Sequence, residues 1–524
     1  MADSIVGAML EHAREAPERP ALYFEGQTLS YGVLAAEVER CARALLAWGL
    51  RPGDRVALFL ENSPLFAVAY LGTHLAGGIV VLVNTQYRQT ELSHILNDAG
   101  VRLCVTDAAG ARELARVAAP DLESLVIVGG AAGKARGKSS PPSEGAPQRI
   151  AWSDFLAHAR DGVDTLAPPE PDAPALIGYT SGTTGRAKGA LLLHRNLAAN
   201  AAAVTQAWRW TCEDRLLLVL PLFHAHGLMV GLHGTLLTGG SAILRRKFDA
   251  ADVLATLRDD PTITLFFGVP TMYARLLAEA ERPEGAGVPA YRPRLFVSGS
   301  APLSRQMFED FERVFGQRIL ERYGMTETIM NLTNPYDGER RPGTVGGPFP
   351  GQEARVVDVA ERFPLPPAVV GEIEVRGPHV FSGYWNRADA TAEAFSPDGW
   401  FKTGDLGWVS DDGYYTITGR ARELIISGGY NVYPREVEEV LAMHPAVAEV
   451  AVLGAPDADL GEQVVAMVVP KADAPALAEE ELVAFCREQL ASYKKPRRIV
   501  FTDALPRNAL GKVQKHLLAA RLPT

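Results

Sequence analysis

Apolar residues in the first part of the chain recur at two different spacings. Leu34, Val38, Cys41 and Leu45 follow one another at intervals that predict an amphipathic helix, and Gly49 ends it. Continuous apolar runs, typical of buried strands, occupy residues 56–60, 79–83, 103–106 and 125–128. Buried strands separated by helices predict an α/β fold whose parallel sheets are covered by helices on both faces. Phosphate-binding loops of such a fold lie at the ends of the strands.

Residues 216–244 form an uncharged segment that is long enough to cross a bilayer. The segment contains His224, His226 and His233 together with six glycine or proline residues. Because these residues do not suit a membrane-spanning helix, we interpret the segment as a buried strand, turn and helix. No membrane association is expected.

The pattern of apolar residues changes near residue 420. Pro434 opens an amphipathic helix, and residues 447–453 form a strand-like run. A small α+β domain is therefore expected after the large N-terminal domain, because the chain is too long for one ordinary core. The predicted domains are residues 1–419 and 420–524, with residues 419–423 as the linker.

The composition narrows the class of protein. The 524 residues carry a formal net charge of −10, which argues against nucleic-acid binding because such proteins usually have a basic surplus. The four cysteines lie far apart and form no CxxC pair, so buried thiols are expected rather than a metal or redox centre. The N-terminus has neither the apolar core of a secretory signal nor an Arg-rich presequence, and a cytoplasmic location is expected.

The segment YTSGTTGRAKG, residues 179–189, carries the strongest chemical signal. Hydroxyl-bearing residues surround Gly182 and Gly185, which allow backbone N–H groups to approach anionic oxygens, and Lys188 adds a positive charge. The segment differs from a Walker loop because glycine, and not Ser or Thr, follows Lys188. A phosphate-binding loop is favoured, with a flexible hairpin as the alternative.

Six further motifs follow in order along the chain. They are PLFHAHG at 221–227, SGSAPL at 298–303, ERYGMTE at 321–327, TGDL at 403–406, GRARE at 419–423 and PRNALGK at 506–512. Together with the phosphate segment they resemble the signature motifs of the adenylate-forming superfamily, which includes acyl-CoA synthetases, luciferases and peptide-synthetase adenylation domains. The resemblance covers nearly the whole chain. It implies an acyl-CoA synthetase that uses ATP, Mg²⁺ and coenzyme A.

The resemblance also assigns individual residues. Those implied to bind ATP are Thr180, Ser181, Gly182, Thr183, Thr184, Lys188, Gly299, Ser300, Ala301, Glu321, Arg322, Tyr323, Gly324, Met325, Thr326, Asp405, Arg420 and Lys512. Those implied in catalysis are Lys512, Thr183, His224 and Glu327, of which Thr183 and Glu327 would hold Mg²⁺. Positive charge is required because the attacking carboxylate and the α-phosphate are both negative, and it must be positioned beforehand.

In this superfamily the small domain rotates after adenylation and brings a tunnel for coenzyme A into place. The resemblance puts the hinge at Arg422. Ser427, Gly428 and Gly429 follow, and the two glycines would allow the backbone to approach the pantetheine arm.

Two local sequences bear on the acid that is activated. GVPTMYARLL at 268–277 and TIMNLTNPYDG at 328–338 resemble malonyl-CoA synthetases. In those enzymes the arginine of the first segment, here Arg275, pairs with the distal carboxylate of malonate. A guanidinium suits this role because a buried carboxylate without a partner is costly. The expected substrate-binding residues are Arg275, His226, Ser298 and Met330.

Other acids and acceptors stay open at this point. Methylmalonate is a candidate, because one methyl group discriminates by only about 1–3 kcal/mol. A short-chain, medium-chain or aryl acid would use the same ATP site, and Arg275 would then be a surface or salt-bridged arginine. A carrier-protein thiol could replace coenzyme A. The sequence does not distinguish a monomer from a homodimer.

Overall fold

The computed structural model describes residues 3–129, 146–159, 166–180, 187–282, 288, 291–428, 430–457, 460–472, 477–508 and 511–519. The α-helices are α1 (Ile5–Glu15), α2 (Tyr31–Trp48), α3 (Pro64–Leu75), α4 (Gln89–Ala99), α5 (Ala108–Leu114), α6 (Trp152–Leu156), α7 (His194–Ala207), α8 (His233–Thr238), α9 (Ala250–Asp259), α10 (Pro270–Ala280), α11 (Arg305–Phe315), α12 (Ala388–Ala394), α13 (Pro434–Ala442), α14 (Glu479–Gln489) and α15 (Lys515–Ala519). A π-helix spans His226–Leu232, and a 3₁₀ turn spans Ala421–Glu423.

The β-strands are β1 (Pro20–Phe24), β2 (Gln27–Ser30), β3 (Arg55–Phe59), β4 (Ile79–Leu82), β5 (Val101–Asp107), β6 (Ser124–Val128), β7 (Gln148–Ala151), β8 (Pro174–Thr180), β9 (Lys188–Leu193), β10 (Arg215–Leu218), β11 (Ser241–Leu244), β12 (Leu265–Gly268), β13 (Leu295–Ser298), β14 (Leu320–Tyr323), β15 (Leu332–Thr333), β16 (Gly347–Pro348), β17 (Glu353–Val357), β18 (Gly371–Arg376), β19 (Gly383–Tyr384), β20 (Phe401–Val409), β21 (Tyr415–Arg420), β22 (Ile425–Ser427), β23 (Tyr430–Val432), β24 (Val447–Asp457), β25 (Gly461–Pro470) and β26 (Arg498–Phe501).

The four strands predicted from apolar runs lie side by side. They are β3, β4, β5 and β6, in an eight-stranded sheet of order β19-β9-β8-β4-β3-β5-β6-β7. The pairs from β8 to β7 are all parallel. Their apolar side chains are buried, as expected for strands covered on both faces. The predicted α/β fold is confirmed.

The predicted helix before these strands is α2, and its ends follow from the local sequence. The Ser30 hydroxyl accepts a hydrogen bond from the Val33 N–H, which satisfies one of the free donors of the first turn. Gly49 ends the helix with φ 101°, a left-handed conformation that glycine adopts without steric cost. The buried face of α2 packs against α3.

The uncharged segment 216–244 lies at the centre of a nine-stranded sheet of order β16-β15-β14-β13-β12-β10-β11-β1-β2. It supplies β10, the π-helix, α8 and β11, and its apolar side chains are almost completely buried. The segment contains no charged residue because it belongs to the core. No helix in the described part of the chain has the length and apolar character to cross a membrane.

Two smaller sheets follow along the chain. Strands β17, β18, β20 and β21 form an antiparallel sheet, and β22 to β26 form a five-stranded sheet with α13 to α15 beside it. The last sheet has its own core, which includes Ile425, Val437 and Val452. The predicted helix at Pro434 and the predicted strand after it are α13 and β24. A large N-terminal domain and a small C-terminal domain are thus confirmed, while the boundary at residue 420 stays a prediction.

Candidate active site

A cleft of about 1720 Å³ is lined by residues from both large sheets and from the C-terminal domain. Residues at the carboxyl ends of β8 and β14 and just after the end of β13 line it, together with residues of β20 and β21. The loop that contains Lys512 lines it from the C-terminal domain. Ligands of α/β proteins bind outside the carboxyl ends of strands, so this cleft is the candidate active site.

Glu327 lies at the predicted metal end of the cleft. Its buried Oε1 accepts hydrogen bonds from Thr180 Oγ1 at 3.3 Å and from the Tyr384 hydroxyl at 3.1 Å. Burial raises the pKa of Glu327. Within the described ranges no three His, Cys, Asp or Glu side chains converge to hold a metal ion. One carboxylate beside hydroxyl groups fits Mg²⁺, which keeps several waters and binds largely through substrate phosphates.

The predicted phosphate segment is described only at its ends. Ser181, Gly182, Thr183 and Thr184 lie outside the described residues, and their roles stay predictions. Strands β8 and β9 pair antiparallel on either side, with Thr180 opposite Lys188. The Lys188 Nζ atom lies 5.2 Å from the ring centroid of Tyr384, which also donates to Glu327. A positive charge and the predicted metal ligand therefore share one neighbour.

Asp405 is the centre of a polar cluster at the predicted ribose position. Its buried carboxylate accepts a hydrogen bond from the Tyr323 hydroxyl at 2.5 Å and pairs with Arg420 Nε at 3.0 Å. The register of β20 and β21 places Asp405 opposite Arg420, so the pairing follows from the strands themselves. A carboxylate has about four lone-pair sites, and two therefore remain for the two hydroxyls of a ribose.

Lys512 lines the cleft from the C-terminal domain. Its N–H donates to Asn508 Oδ1 at 3.0 Å, and the Asn508 N–H donates to the Lys512 carbonyl at 2.9 Å. A Cβ atom at Gly511 would lie 2.7 Å from Thr271 Oγ1, so this loop rests on the start of α10. Burial, followed by the charge of Arg420, lowers the pKa of Lys512 to about 8. The amine is still mostly charged at neutral pH.

A further part of the cleft is lined by His224, His226, Ile329 and Met330. His226 is buried, its ring stacks on Phe267, and neither ring nitrogen has a hydrogen-bond partner in the described structure. Burial lowers the pKa of both histidines, that of His224 to about 4, so both rings are neutral at neutral pH. His226 opens the π-helix, and Ile329 has φ 59°. Such irregular backbone is frequent at functional sites.

Arg322 lies in this second part of the cleft. The motif resemblance groups it with Glu321 and Tyr323 as ATP-binding, but neighbouring side chains of a strand point to opposite faces. Arg322 is only 3% exposed, lines the cleft, and its charge acts on His226. Its Nε and Nη2 atoms have no hydrogen-bond partner among the described residues. Strand alternation is the sequence signal that separates it from its neighbours.

The structure contradicts the predicted position of Arg275. Helix α10 buries Pro270, Tyr273 and Leu276. Arg275 lies on the opposite face, is exposed, and borders a separate surface hollow instead of the cleft. Its neighbours in sequence are apolar, but the helical period of 3.6 residues turns Arg275 away from the buried side. The prediction that this guanidinium lies inside an apolar cleft is therefore wrong for this structure.

The other predicted residues fall into two groups. Those that line the cleft are Ser300, Gly324, Met325, Thr326 and Met330, and Gly299 and Ala301 flank the first of them. Ser298 is completely buried at the end of β13 and is not a lining residue, although its Oγ has no partner in the described structure. Glu321 is also buried outside the lining, and its Oε1 accepts from the Leu303 N–H at 3.1 Å.

The predicted hinge lies at the edge of the cleft. Arg422 is in the 3₁₀ turn and lines the cleft, and burial followed by the charge of Arg420 lowers its pKa. Ser427 is buried in β22, and Gly428 has φ 59°. Gly429 lies outside the described residues. The hinge and coenzyme A roles of these residues stay predictions.

Comparison with known proteins matches this architecture to one family. The AMP-binding enzyme family matches residues 9–385, and the AMP-binding enzyme C-terminal domain matches residues 436–512. The crystal structure of ATP-bound MatB from Rhodopseudomonas palustris is similar to this chain, with a TM-score of 0.87 and 38% sequence identity over 99% of each chain.

Two curated relatives cover most of both sequences. A malonate–CoA ligase of Arabidopsis thaliana is 34% identical over 98% of this chain and 88% of its own. A sulfoacetate–CoA ligase of Cupriavidus necator is 38% identical over 98% of this chain and 97% of its own. CoA ligases named for other acids match as well.

Proposed function

The chain belongs to the AMP-binding enzyme family and is an AMP-forming acid–thiol ligase, and from this premise we propose that it joins malonate to coenzyme A. ATP and Mg²⁺ serve the activation of the acid, and coenzyme A receives the acyl group. The products would be malonyl-CoA, AMP and diphosphate.

The choice of malonate is carried by the buried guanidinium of Arg322, whose Nε and Nη2 atoms have no hydrogen-bond partner among the described residues. Beside the alkyl chain of a fatty acid, this group and the two nitrogens of His226 would stay without hydrogen bonds. Each unsatisfied buried polar group costs about 1–3 kcal/mol, and a buried charge costs more. An acid with a second anionic group offers these donors a partner, which favours a dicarboxylate.

Two relatives are named for acids of this kind. Malonate has a second carboxylate on the carbon next to the reacting carboxylate, and sulfoacetate has a sulfonate there. Sulfoacetate is therefore the second candidate, supported by the 38% identity to a sulfoacetate–CoA ligase. We favour malonate because a planar carboxylate matches the planar fork of an arginine with two parallel hydrogen bonds.

In the proposed first step, a carboxylate oxygen of malonate attacks the α-phosphorus of ATP and diphosphate leaves. Two negative groups meet at this point, so positive charge has to be in place beforehand. We assign this charge to Lys512, whose amine is mostly protonated at neutral pH. Glu327 would hold Mg²⁺, which neutralises phosphate charge, and Asp405 would hold the ribose. Thr183 and Thr184 are proposed to contact the phosphates.

In the proposed second step, the thiolate of coenzyme A attacks the carbonyl carbon of malonyl-AMP, and AMP leaves. We propose that the domain of residues 420–524 rotates for this step, with Arg422 in the hinge. Ser427, Gly428 and Gly429 would then border the pantetheine arm. A carrier-protein thiol is the alternative acceptor.

A panel of acids tests the proposed function. Malonate, methylmalonate, sulfoacetate, propanoate, octanoate and benzoate are each supplied with ATP, Mg²⁺ and coenzyme A, and AMP and acyl-CoA are measured. We expect the highest kcat/KM for malonate, and a value for methylmalonate lower by about 10-fold to 200-fold. A preference for octanoate or benzoate would contradict the assignment. AMP production that requires an added carrier protein would favour the alternative acceptor.

A further inference from the structure

We propose that Glu372 and Arg362 are positioning residues that hold Asp405 in the orientation that recognises the ribose of ATP. Neither of the two lines the cleft, and both act through the backbone next to Asp405. The proposal rests on the proposed function in one respect, because it takes Asp405 as the residue that holds the ribose. It does not depend on which acid is activated.

Asp405 belongs to a bulge of β20. The register of β18 and β20 is interrupted between Glu372 and Glu374, where the single residue Ile373 faces the three residues 403–405. A bulge disrupts the ladder of backbone hydrogen bonds and re-aims a side chain, and bulges are frequent next to active sites. This bulge therefore sets the direction of the Asp405 carboxylate, and the groups that hold the bulge also hold Asp405.

Two backbone N–H groups of the bulge donate to side chains. The Gly404 N–H donates to Glu372 Oε1 at 3.0 Å, and the Asp405 N–H donates to Thr403 Oγ1 at 3.0 Å. The Thr403 hydroxyl donates in turn to the Ile373 carbonyl at 2.6 Å. Gly404 has φ 70°, a left-handed conformation that glycine adopts without steric cost. Glu372 thus fixes, from the neighbouring strand, the residue immediately before Asp405.

Arg362 fixes the carboxylate of Glu372. Its Nη1 atom donates to Glu372 Oε2, and its Nη2 atom pairs with Glu374 Oε1. The Glu374 side chain is completely buried, and Arg355 binds its second oxygen at 2.7 Å. Arg362 has φ 64°, which is unfavourable for residues other than glycine and persists only where the surroundings hold it. A row of paired charges therefore supports the bulge from behind.

Ribose recognition depends on the direction of the Asp405 carboxylate. Tyr323 and Arg420 already use part of this carboxylate, and its remaining lone pairs have to meet both ribose hydroxyls. Hydrogen bonds weaken steeply when their angle falls below about 120°, so a small shift of the bulge would lose these bonds. Groups assigned to the phosphates, such as Lys512, lie on other elements and would stay in place. Glu372 should therefore govern the selection of the ribose.

The alternative is that these charges stabilise the sheet and do nothing else. Glu353 and Arg376 form an ion pair of that kind between β17 and β18. Both side chains are exposed, and water screens the pair. Because it lies in the same sheet beyond the bulge, this pair provides a matched control.

The use of deoxynucleotides distinguishes the two possibilities. The value of kcat/KM is measured for ATP and for its analogues that lack the 2′ or the 3′ hydroxyl, with the acid that the wild type uses best. The wild type should prefer ATP by about 10-fold to 100-fold, because an absent hydroxyl leaves a charged acceptor without a partner. Glu372→Ala removes the acceptor of the Gly404 N–H, and this preference should fall by at least about 5-fold. The loss should lie in the KM for ATP, with the KM for the acid unchanged.

Further variants separate positioning from folding. Glu372→Gln keeps an acceptor oxygen for the Gly404 N–H and should restore most of the preference. Arg362→Met leaves two carboxylates without their shared cation and should lower the preference as Glu372→Ala does. Arg362→Lys keeps the charge but not the two-armed bridge, so an intermediate value is expected. Glu353→Gln should leave the preference and kcat unchanged.

The measured ratio makes the outcomes distinct. A fraction of inactive enzyme lowers the rate with every nucleotide equally, so partial misfolding does not change the preference. A wild type that uses all three nucleotides equally well would remove the ribose role of Asp405, and this proposal with it. If the wild type discriminates, and Glu372→Ala and Arg362→Met lose activity but keep its preference, only the positioning role is overturned. Because each ratio uses one acid, a wrong assignment of malonate does not alter it.

Discussion

Gly299 lies against the guanidinium of Arg322 so closely that a Cβ atom at this glycine would come within 2.5 Å of the Arg322 Cζ atom. The φ angle of Gly299 is not in the left-handed region, so backbone freedom does not explain the glycine. The residue is small because the arginine side chain occupies the space beside it. A methyl group at position 299 would therefore move Arg322 first.

Gly299→Ala should selectively weaken the use of malonate. The guanidinium has to shift, and a misplacement of about 1 Å at a binding group can cost on the order of 100-fold in rate. We expect a lower kcat/KM for malonate and a nearly unchanged value for propanoate. Gly347→Ala is the matched control, because a Cβ atom there meets only the Gly413 carbonyl at 3.4 Å. Equal effects of the two substitutions would contradict the steric argument.

Asp405→Ala should weaken ATP binding. The substitution removes the acceptor for Tyr323 and the partner of Arg420. Removing one member of a buried, hydrogen-bonded charge pair costs about 2–5 kcal/mol, so the KM for ATP should rise by at least about 30-fold. Asp412→Ala is the control, because Asp412 is exposed and water screens its ion pair with Arg341. An ATP affinity equal to that of the control would exclude the ribose role.

The adenylation step should slow above a pH of about 8. Lys512 has a pKa lowered to about 8, so its amine is charged below this pH and neutral above it. Because the proposed role needs the charged form, ATP–diphosphate exchange should decline as the pH rises through this value. Lys512→Gln should reduce the exchange by on the order of 100-fold to 1,000-fold and remove the pH dependence.

Lys512→Arg provides the decisive comparison for this titration. An arginine stays charged, so the decline of adenylation should move to a higher pH. The second step, measured with malonyl-AMP and coenzyme A, should keep its rate in Lys512→Gln if the lysine acts only in adenylation. A decline at the same pH in Lys512→Arg would assign it to another group.

Three buried histidines should make the fold sensitive to acid. The His74 and His194 rings lie 4.6 Å apart, and His233 Nε2 lies 2.9 Å from the Tyr70 hydroxyl. Burial lowers the pKa of all three, that of His194 to about 4 and that of His233 to about 3. At a pH between these lowered pKa values and 6.5, the ordinary pKa of histidine, the unfolded chain binds more protons than the folded chain. The stability that comes from keeping these histidines neutral is therefore fully present above a pH of about 6.5 and is lost as the pH falls below it.

The free energy of unfolding, measured by denaturant titration between pH 7 and pH 4, checks this sign. His194 alone should account for a loss of about 3 kcal/mol by the lower end of the range. His194→Gln should flatten the slope, because one titrating group is gone. His158→Gln is the control, since His158 is exposed, and it should leave the slope unchanged. A wild-type stability that is constant over this range would contradict the prediction.

The architecture could be predicted because its strands are buried on both faces. Such strands are continuous apolar runs, and β3 to β6 appear as such runs in the sequence. The uncharged segment 216–244 could also be interpreted correctly, because glycine and proline do not suit a membrane helix. The assignment of ATP, Mg²⁺ and coenzyme A rested on ordered motifs and is confirmed by the family. Strand order between distant segments, such as β1 beside β11, has no local signal.

The acyl part of the site was harder to predict because it depends on where each side chain points, and the neighbouring residues in the sequence do not show this. The apolar neighbours of Arg275 suggested burial, but the helical period turns it outward. Arg322 is in a motif that suggested ATP, but strand alternation turns it away from Tyr323. Both residues are arginines, and composition does not distinguish them. Only the packing of β14 and α10 in three dimensions does.

The tie between Asp405 and Arg420 has one more consequence. Arg420 ends β21, and the 3₁₀ turn Ala421–Glu423 begins at the next residue. If the smaller domain rotates during turnover, the pairing with Asp405 keeps Arg420, the first residue of the predicted small domain, in place on the large domain, and the rotation starts at residue 421. The three residues Ala421–Glu423 would then be the axis of this rotation, and Lys512 would move about a fixed point. Because this point is fixed, Lys512 returns to the same position in the cleft in every catalytic cycle.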